Sequence, residues 1–277
     1  MFWEYVKSII LGIIEGVTEW LPISSTGHMI LVDEILKLNV SADFRELYLV
    51  VIQLGAILAV PILFWNKLNP FSPKKTAAEK SATWSLWFKV IVGAVPAAFV
   101  GVLLDDVLDK YLYNYPVVAA ALVIYGVLFI LVEKKRAGKI YRVETVDELS
   151  YVDALKIGAF QVLSLVPGPS RSGSTLLGGM CTGVSRTASA EFSFFMAIPI
   201  MLGASGLKIL KFLLDGVSVN ATEILLLLVG MAVSFVVSLF IIKFLMDFVK
   251  RHSFAPFGVY RIILGAIVLG YFVIKLI

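Results

Sequence analysis

Six stretches of this chain, approximately 47–65, 86–104, 117–132, 190–210, 224–246 and 257–277, stay apolar long enough to cross a hydrocarbon layer of roughly 30 Å as helices. Inside such a layer no water is available to backbone amides, so each run must satisfy its own hydrogen bonds, which a helix does. With 59% hydrophobic and only 16% charged residues, the 277-residue chain is too apolar for a water-soluble protein. The expected fold class is therefore all-α, a polytopic membrane protein forming one membrane domain over 1–277. Glu4 precedes Lys7 and no small-residue cleavage site follows the first apolar run, so no removable signal peptide is expected. The single cysteine, Cys181, excludes an internal disulfide and a thiolate metal cluster built by one chain.

Two further apolar regions, 1–37 and 151–183, are cut near the middle by Pro22 and by Pro167-Gly168-Pro169. Each reads as a broken re-entrant hairpin of two half-helices that dips in and returns. Net charge is only +4, and the basic residues concentrate in two connections. One holds Lys67, Lys74, Lys75 and Lys80; the other holds Lys134, Lys135, Arg136, Lys139 and Arg142. This pattern sets topology and does not indicate a nucleic-acid surface. The 105–115 connection is acidic, with Asp105, Asp106 and Asp109, so the basic loops are expected in the cytoplasm. Both termini and the first hairpin then fall on the extracytoplasmic side, the second hairpin enters from the cytoplasm, and their tips meet near the midplane.

The tips look like copies at an offset of about 146 residues. Gly12-Ile13-Ile14-Glu15 parallels Gly158-Ala159-Phe160-Gln161, Leu21-Pro22 parallels Val166-Pro167, and Ser24-Ser25-Thr26-Gly27-His28 parallels Ser170-Arg171-Ser172-Gly173-Ser174. Each copy carries one hairpin and three spans. An odd number of crossings inverts the second copy, giving repeat halves of approximately 1–145 and 146–277 and a midplane binding site.

The chemistry concentrates at those tips. Glu15 and Glu19 lie one turn apart on the same side of a helix. Ser24, Ser25 and Thr26 supply caps for the helix that follows. The second tip joins a backbone free to turn, the hydroxyls of Ser170, Ser172, Ser174 and Thr175, and the planar fork of Arg171, a combination suited to phosphate at a helix N-terminus. Glu15 and Glu19 would repel that phosphate unless a divalent cation, Mg2+ or Ca2+, lies between them. Blander readings stay open at this level. Residues 1–21 could form an interfacial amphipathic helix, the serines could be caps only, His28 could be an interfacial histidine, and Arg171 could pair structurally with Glu15 or Glu19. Arg45, Arg186 and Arg261 are read as anchors near helix ends.

The blocks 15–28, Glu-Gly-Val-Thr-Glu-Trp-Leu-Pro-Ile-Ser-Ser-Thr-Gly-His, and 167–175, Pro-Gly-Pro-Ser-Arg-Ser-Gly-Ser-Thr, closely resemble the undecaprenyl-pyrophosphate phosphatase family, the integral-membrane type once named for bacitracin resistance. The likeness extends through 51–60, Gly183-Val184-Ser185-Arg186 and Ala190-Glu191-Phe192-Ser193-Phe194, so it covers essentially the whole chain. The resemblance implies removal of the terminal phosphate of a polyprenyl pyrophosphate lipid, a divalent cation, a bacterial plasma-membrane location and a site open to the extracytoplasmic side. It places the family's acidic motif on Glu15 and Glu19, its serine-histidine motif on Ser24, Ser25 and His28, and its arginine motif on Ser170, Arg171, Ser172 and Thr175.

Combining both lines, Ser25 is the expected nucleophile, Glu19 or His28 its base, His28 the donor to a leaving or returning oxygen, and Arg171 the stabiliser of phosphoryl charge. Glu15 and Glu19 hold the metal. Ser24, Thr26, Ser170, Ser172, Ser174 and Thr175 bind the phosphates. A metal-activated water is the competing nucleophile. A transporter of a phosphorylated lipid or an anion is the rival function, because inverted repeats with buried carboxylates also build carriers. Oligomeric state stays open, a homodimer included. The orientation has a direct test. In a Cys181→Ala background, a cysteine replacing Asn114 is expected to react with an impermeant thiol reagent in intact cells, and one replacing Lys75 is not; the opposite labelling would reverse the topology.

Overall fold

The computed structural model describes residues 2–112, 114–217 and 219–276. In chain order its helices are α1 (Phe2–Thr18), α2 (Ser25–Ile35), α3 (Ala42–Val51), α4 (Gln53–Ile57), α5 (Ala59–Leu63), α6 (Trp65–Leu68), α7 (Ala77–Leu112), α8 (Tyr115–Arg136), α9 (Tyr151–Val162), α10 (Arg171–Cys181), α11 (Arg186–Leu214), α12 (Ala221–Arg251) and α13 (Ala255–Leu276). Among the described residues no strand forms beyond an isolated bridge between Val143 and Val184.

Six helical segments among the described residues are long and apolar enough to cross a membrane: Ala42–Leu63, Ala77–Leu104, Tyr115–Arg136, Arg186–Leu214, Ala221–Arg251 and Ala255–Lys275. Each overlaps one apolar run of the sequence, but the bounds differ. All six begin earlier than the runs, because polar caps start a helix ahead of its apolar stretch, as where Asn114 accepts from the Val117 amide and Ser185 from the Ala188 amide. The stretch 105–115 is not a free connection, since α7 continues to Leu112. The side chains of Asp105, Asp106 and Asp109 lie outside the described residues. The first span is three short helices in series. Pro61 lacks an amide hydrogen and its ring opposes the carbonyl four residues back, at Ile57, where α4 ends.

The same rule shapes the two helix pairs that carry the polar motifs. Pro22 opposes the carbonyl of Thr18, the last residue of α1, and Thr18 Oγ1 turns back to donate to the Ile14 carbonyl at 2.7 Å. Pro167 likewise opposes Leu163, where α9 gives way to a single 3-10 turn over Leu163–Leu165. After each break the chain passes a capping serine and starts α2 or α10.

α1 packs on α12, α9 on α7, and α8 on α13. The largest apolar cluster lies around the two turns and α11. Trp20, Leu21, Ile23, Leu176, Leu177, Phe194 and Phe195 are all buried there, and the Trp20 and Phe194 rings meet edge to face at 5.3 Å. At the far end of α9, Arg142 pairs with Asp153. Burial acts to raise the Asp153 pKa, but hydrogen bonds from Arg142 and Ser150 outweigh it and leave that pKa below the ordinary aspartate value.

α8 and α13 approach through glycines. A Cβ added to Gly126 would lie 2.6 Å from the Gly258 carbonyl oxygen and 2.7 Å from an Ile262 methylene. Gly126→Val is therefore expected to lower the thermal midpoint in detergent, at an overpacking cost of about 1–3 kcal/mol. An unchanged midpoint would mean that this helix pair is not close-packed.

Candidate active site

Among the described residues, two non-glycine positions have positive φ, Ser24 (73°) and Ser170 (62°), one in each turn. The left-handed region costs an L-residue roughly 1–2 kcal/mol and is retained where surrounding structure enforces it, characteristically at functional sites. Both serines act as N-caps. Ser24 Oγ accepts from the Gly27 amide at 3.2 Å, and Ser170 Oγ accepts from the Gly173 amide at 2.9 Å. Two helix N-termini are thus formed by equivalent local geometry, each presenting amides and the positive end of a helix dipole.

The turns touch one another through side chains. Ser172 Oγ lies 3.2 Å from the Glu19 carbonyl and 3.4 Å from the Leu21 carbonyl, to which it can donate. Arg171 donates through Nη2 to Glu19 Oε1 at 3.1 Å and through Nη1 to the Ser193 carbonyl at 2.7 Å. Its guanidinium also lies over the Trp20 ring, 5.7 Å from the centroid. The other Glu19 oxygen, Oε2, accepts from Ser25 Oγ at 2.9 Å. One carboxylate therefore joins the arginine of one turn to the serine of the other. The Arg171 and Glu19 side chains are 10% and 8% exposed, so neither charge has bulk water to fall back on. Removing either partner of a buried pair typically costs about 3–5 kcal/mol.

Thr175 Oγ1 is 2.7 Å from Ser193 Oγ and donates locally to the Arg171 and Ser172 carbonyls, bracing the start of α10. Ser174 is fully buried on the same helix, and Thr26 is half-buried at the start of α2. His28 turns away from Ser25. Its Nδ1 is 2.7 Å from the Ser24 carbonyl, which can only accept, so Nδ1 carries the proton. In that tautomer Nε2 accepts from the Tyr260 hydroxyl at 2.7 Å, with the two rings stacked 9° from parallel.

Glu15 is buried one turn before Glu19, and its Oε1 has no hydrogen-bond partner among the described residues. Among those residues no group of three or more His, Cys, Asp and Glu side chains is placed to hold a metal ion. A pair of glutamates with one oxygen unoccupied fits a hard cation only if substrate oxygens and water complete the shell, as Mg2+ commonly requires.

Four contributors escape a reading of the motifs alone. Trp20 and Ser193 fall inside the recognisable blocks without an evident role, and here they hold Arg171 from two directions. Tyr260 gave no signal. Arg261 corrects the helix-end reading: it is fully buried within α13 and donates to Pro22, Gly168 and Pro169 carbonyls of both turns. An arginine in an apolar span was itself the available signal. Arg186, in contrast, starts α11 and bonds the Glu133 carboxylate as an end anchor.

The family described as bacitracin resistance protein BacA matches residues 8–267. The chain is similar to the undecaprenyl-diphosphatase of Enterococcus faecalis, with 54% identity over 98% of each chain. It is 55% identical to the enzyme of that name from Acetivibrio thermocellus, over 97% of this chain and 98% of the relative. The Streptococcus mutans undecaprenyl-diphosphatase is 51% identical over 99% of this chain and 98% of its own length. This chain belongs to the BacA family. The matched region contains both turns, Ser193, Tyr260 and Arg261, so every contact described above lies within the shared part. With six apolar helices it is a multi-pass membrane protein.

Proposed function

We propose that this protein hydrolyses undecaprenyl pyrophosphate to undecaprenyl phosphate and inorganic phosphate, recycling the lipid carrier of cell-wall polymer synthesis. The observation that carries the reading is the Ser25–Glu19–Arg171 chain, which sets a hydroxyl, a base and a phosphate-binding cation together at two helix N-termini. Relatives named undecaprenyl-diphosphatase match nearly the full length, which supports the same reading.

In this mechanism Ser25 Oγ attacks the terminal phosphorus as its proton passes to Glu19 Oε2, which lies within the 2.6–3.2 Å reach expected of a general base. The bond from phosphorus to the bridging oxygen breaks, and undecaprenyl phosphate departs with the electron pair. Water then cleaves the phosphoserine, releasing inorganic phosphate and returning the proton to Ser25. Arg171 and the amides at the starts of α2 and α10 bind the phosphoryl oxygens, with Ser24, Thr26, Ser170, Ser172, Ser174 and Thr175 lining the turns. We keep His28 as donor to the departing or returning oxygen; to act, it must first take a proton at Nε2, the atom that accepts from Tyr260 in the resting contacts, while Nδ1 stays on the Ser24 carbonyl. A divalent cation held by Glu15 and Glu19 would offset the charge of the pyrophosphate.

We further propose that the two helix pairs are re-entrant hairpins of an inverted repeat, with halves of approximately 1–145 and 146–277. The packing supports this by exchanging partners between halves, α1 on α12 and α9 on α7. So do matched close approaches: a Cβ on Gly12 would lie 2.6 Å from the Gly230 carbonyl, and one on Gly158 would fall on the Gly93 carbonyl. Charge distribution supports a site reached from the extracytoplasmic side.

Phosphate release from undecaprenyl pyrophosphate by purified protein in detergent tests the function, because no gradient exists there to drive a carrier. Release is expected to stop with chelator, and Glu15→Gln is expected to cut turnover at least ~100-fold with the thermal midpoint unchanged. Full turnover in chelator would remove the cation from the mechanism. The nucleophile has a separate test. Rapid quench with substrate labelled in the terminal phosphate is expected to leave label on the Ser25 peptide, and Ser25→Ala is expected to abolish turnover. An unlabelled peptide with residual activity, a loss of only ~10- to 1,000-fold, would point to water as nucleophile.

A further inference from the structure

Arg261 is the most fully buried charge near the site, and its contacts are unlike those of Arg171. Its Nη1 donates to the Pro22 carbonyl at 3.3 Å, and its Nη2 donates to the Gly168 carbonyl at 2.8 Å and to the Pro169 carbonyl. Pro22 and Gly168 each stand two residues before the capping serine of their turn, so one guanidinium holds equivalent carbonyls of the two turns. The group lies beside the Tyr125 and Phe129 rings, neighbours one turn apart on α8, each ring centroid 5.6 Å from its carbon. Among the described residues no carboxylate pairs with it; backbone carbonyls and aromatic faces carry the charge. A Cβ on Gly173 would lie 2.5 Å from Nη1, so the glycine of the second turn is what lets the guanidinium reach in.

We infer that Arg261 is a positioning residue for the phosphatase site, a rivet that fixes the register of the two turns by binding carbonyls of both. The inference rests on the phosphatase reading above. Its catalytic consequence follows from where the reacting groups sit. Ser25 and Glu19 belong to the first turn, Arg171 and Ser172 to the second, so the attacking hydroxyl and the phosphate-binding groups are aligned only if the turns are. Besides Arg261, polar ties across the gap come from Arg171 and Ser172, the side chains that substrate must engage. A rivet outside that set keeps the register while they move. A trans peptide sets its C=O and N–H antiparallel, so drawing the Pro169 carbonyl to Arg261 also turns the Ser170 amide away from Arg261 and free of it.

A lysine keeps the charge but offers a point donor that cannot span three carbonyls on two turns. In detergent, Arg261→Lys is expected to lower kcat about 100-fold, the scale for misalignment by about 1 Å, with KM nearly unchanged. Hydrogen exchange of the amides over 19–27 and 166–175 is expected to speed up while α12 keeps its protection. Parental kcat in Arg261→Lys, a loss carried by KM, or turns as protected as in the parent would each overturn the inference, as would exchange that rises evenly over every helix. Should Arg261→Lys fail to fold, Gly173→Ala decides: its Cβ would fall 2.5 Å from Arg261 Nη1 and 2.9 Å from Ser170 Oγ, so it displaces the guanidinium without deleting it and also presses on the second cap. A loss of kcat with faster exchange in both turns is expected, and exchange that rises over 166–175 alone, or nowhere, overturns the inference. A parent protein that releases no phosphate would sink the phosphatase reading alone, with exchange still deciding the rivet.

Discussion

The structure depends on a buried ion pair that no single half of the chain can make. Glu19 sits at the break after α1 and Arg171 at the start of α10, 152 residues apart, and each is nearly withdrawn from solvent. An ionised side chain in apolar surroundings is tolerated only when paired, so each charge makes the other's position compulsory. The turns are thereby forced together. Once together, they place two helix N-termini side by side, an arrangement that repels itself unless negative charge is supplied between them. Glu19, paired with Arg171, supplies part of it in the resting protein, and a bound phosphate would supply the rest.

Backbone geometry has the same dependence. Ser24 and Ser170 hold left-handed conformations that glycine would adopt at no steric cost, yet both positions keep a hydroxyl. That hydroxyl caps the following helix, and a typical cap contributes about 1 kcal/mol, the same order as the strain. Local terms alone therefore come close to cancelling. What tips the balance is long-range: the Arg261 bonds to carbonyls just ahead of each cap, and the Ser172 bonds to carbonyls of the opposite turn.

How much of this was legible in the sequence varies by physical cause. The six spans were legible because hydropathy over about 20 residues is a local sum. Their ends were not, since caps such as Ser185 extend a helix into residues whose composition resembles a loop. The proline that divides the first span acts four residues upstream of itself, and a run of uniformly apolar residues hides it. At the site, Glu15, Glu19, Ser25 and Arg171 stood out because polar groups in an apolar run are costly and therefore rarely idle. Arg261 carried the same signal and was discounted for its nearness to a helix end. Its true depth depends on how α13 packs beside both turns, a tertiary fact that no window of sequence contains. The His28 pairing failed to be legible for the same reason: spacing puts His28 on a face with Ser25, but Tyr260, 232 residues away, decides which way the ring turns.

Charge accounting ties the proposed cation to this geometry. Two guanidiniums, Arg171 and Arg261, and two carboxylates, Glu15 and Glu19, converge on the paired turns, so the resting site is close to neutral if all four are ionised. A pyrophosphate entering alone would bring at least two negative charges into a region where one uncompensated charge already costs several kcal/mol. Either a carboxylate takes up a proton or a divalent cation arrives with the substrate. Glu19 is poorly suited to neutralisation by a proton before attack, because a protonated Glu19 could no longer accept the Ser25 hydrogen that its Oε2 now receives. Glu15, with Oε1 unbonded, has a free site for a cation and no competing partner to surrender. Both routes through Glu15, a proton taken up there or a divalent cation arriving with the substrate, leave Glu19 free to act as the base.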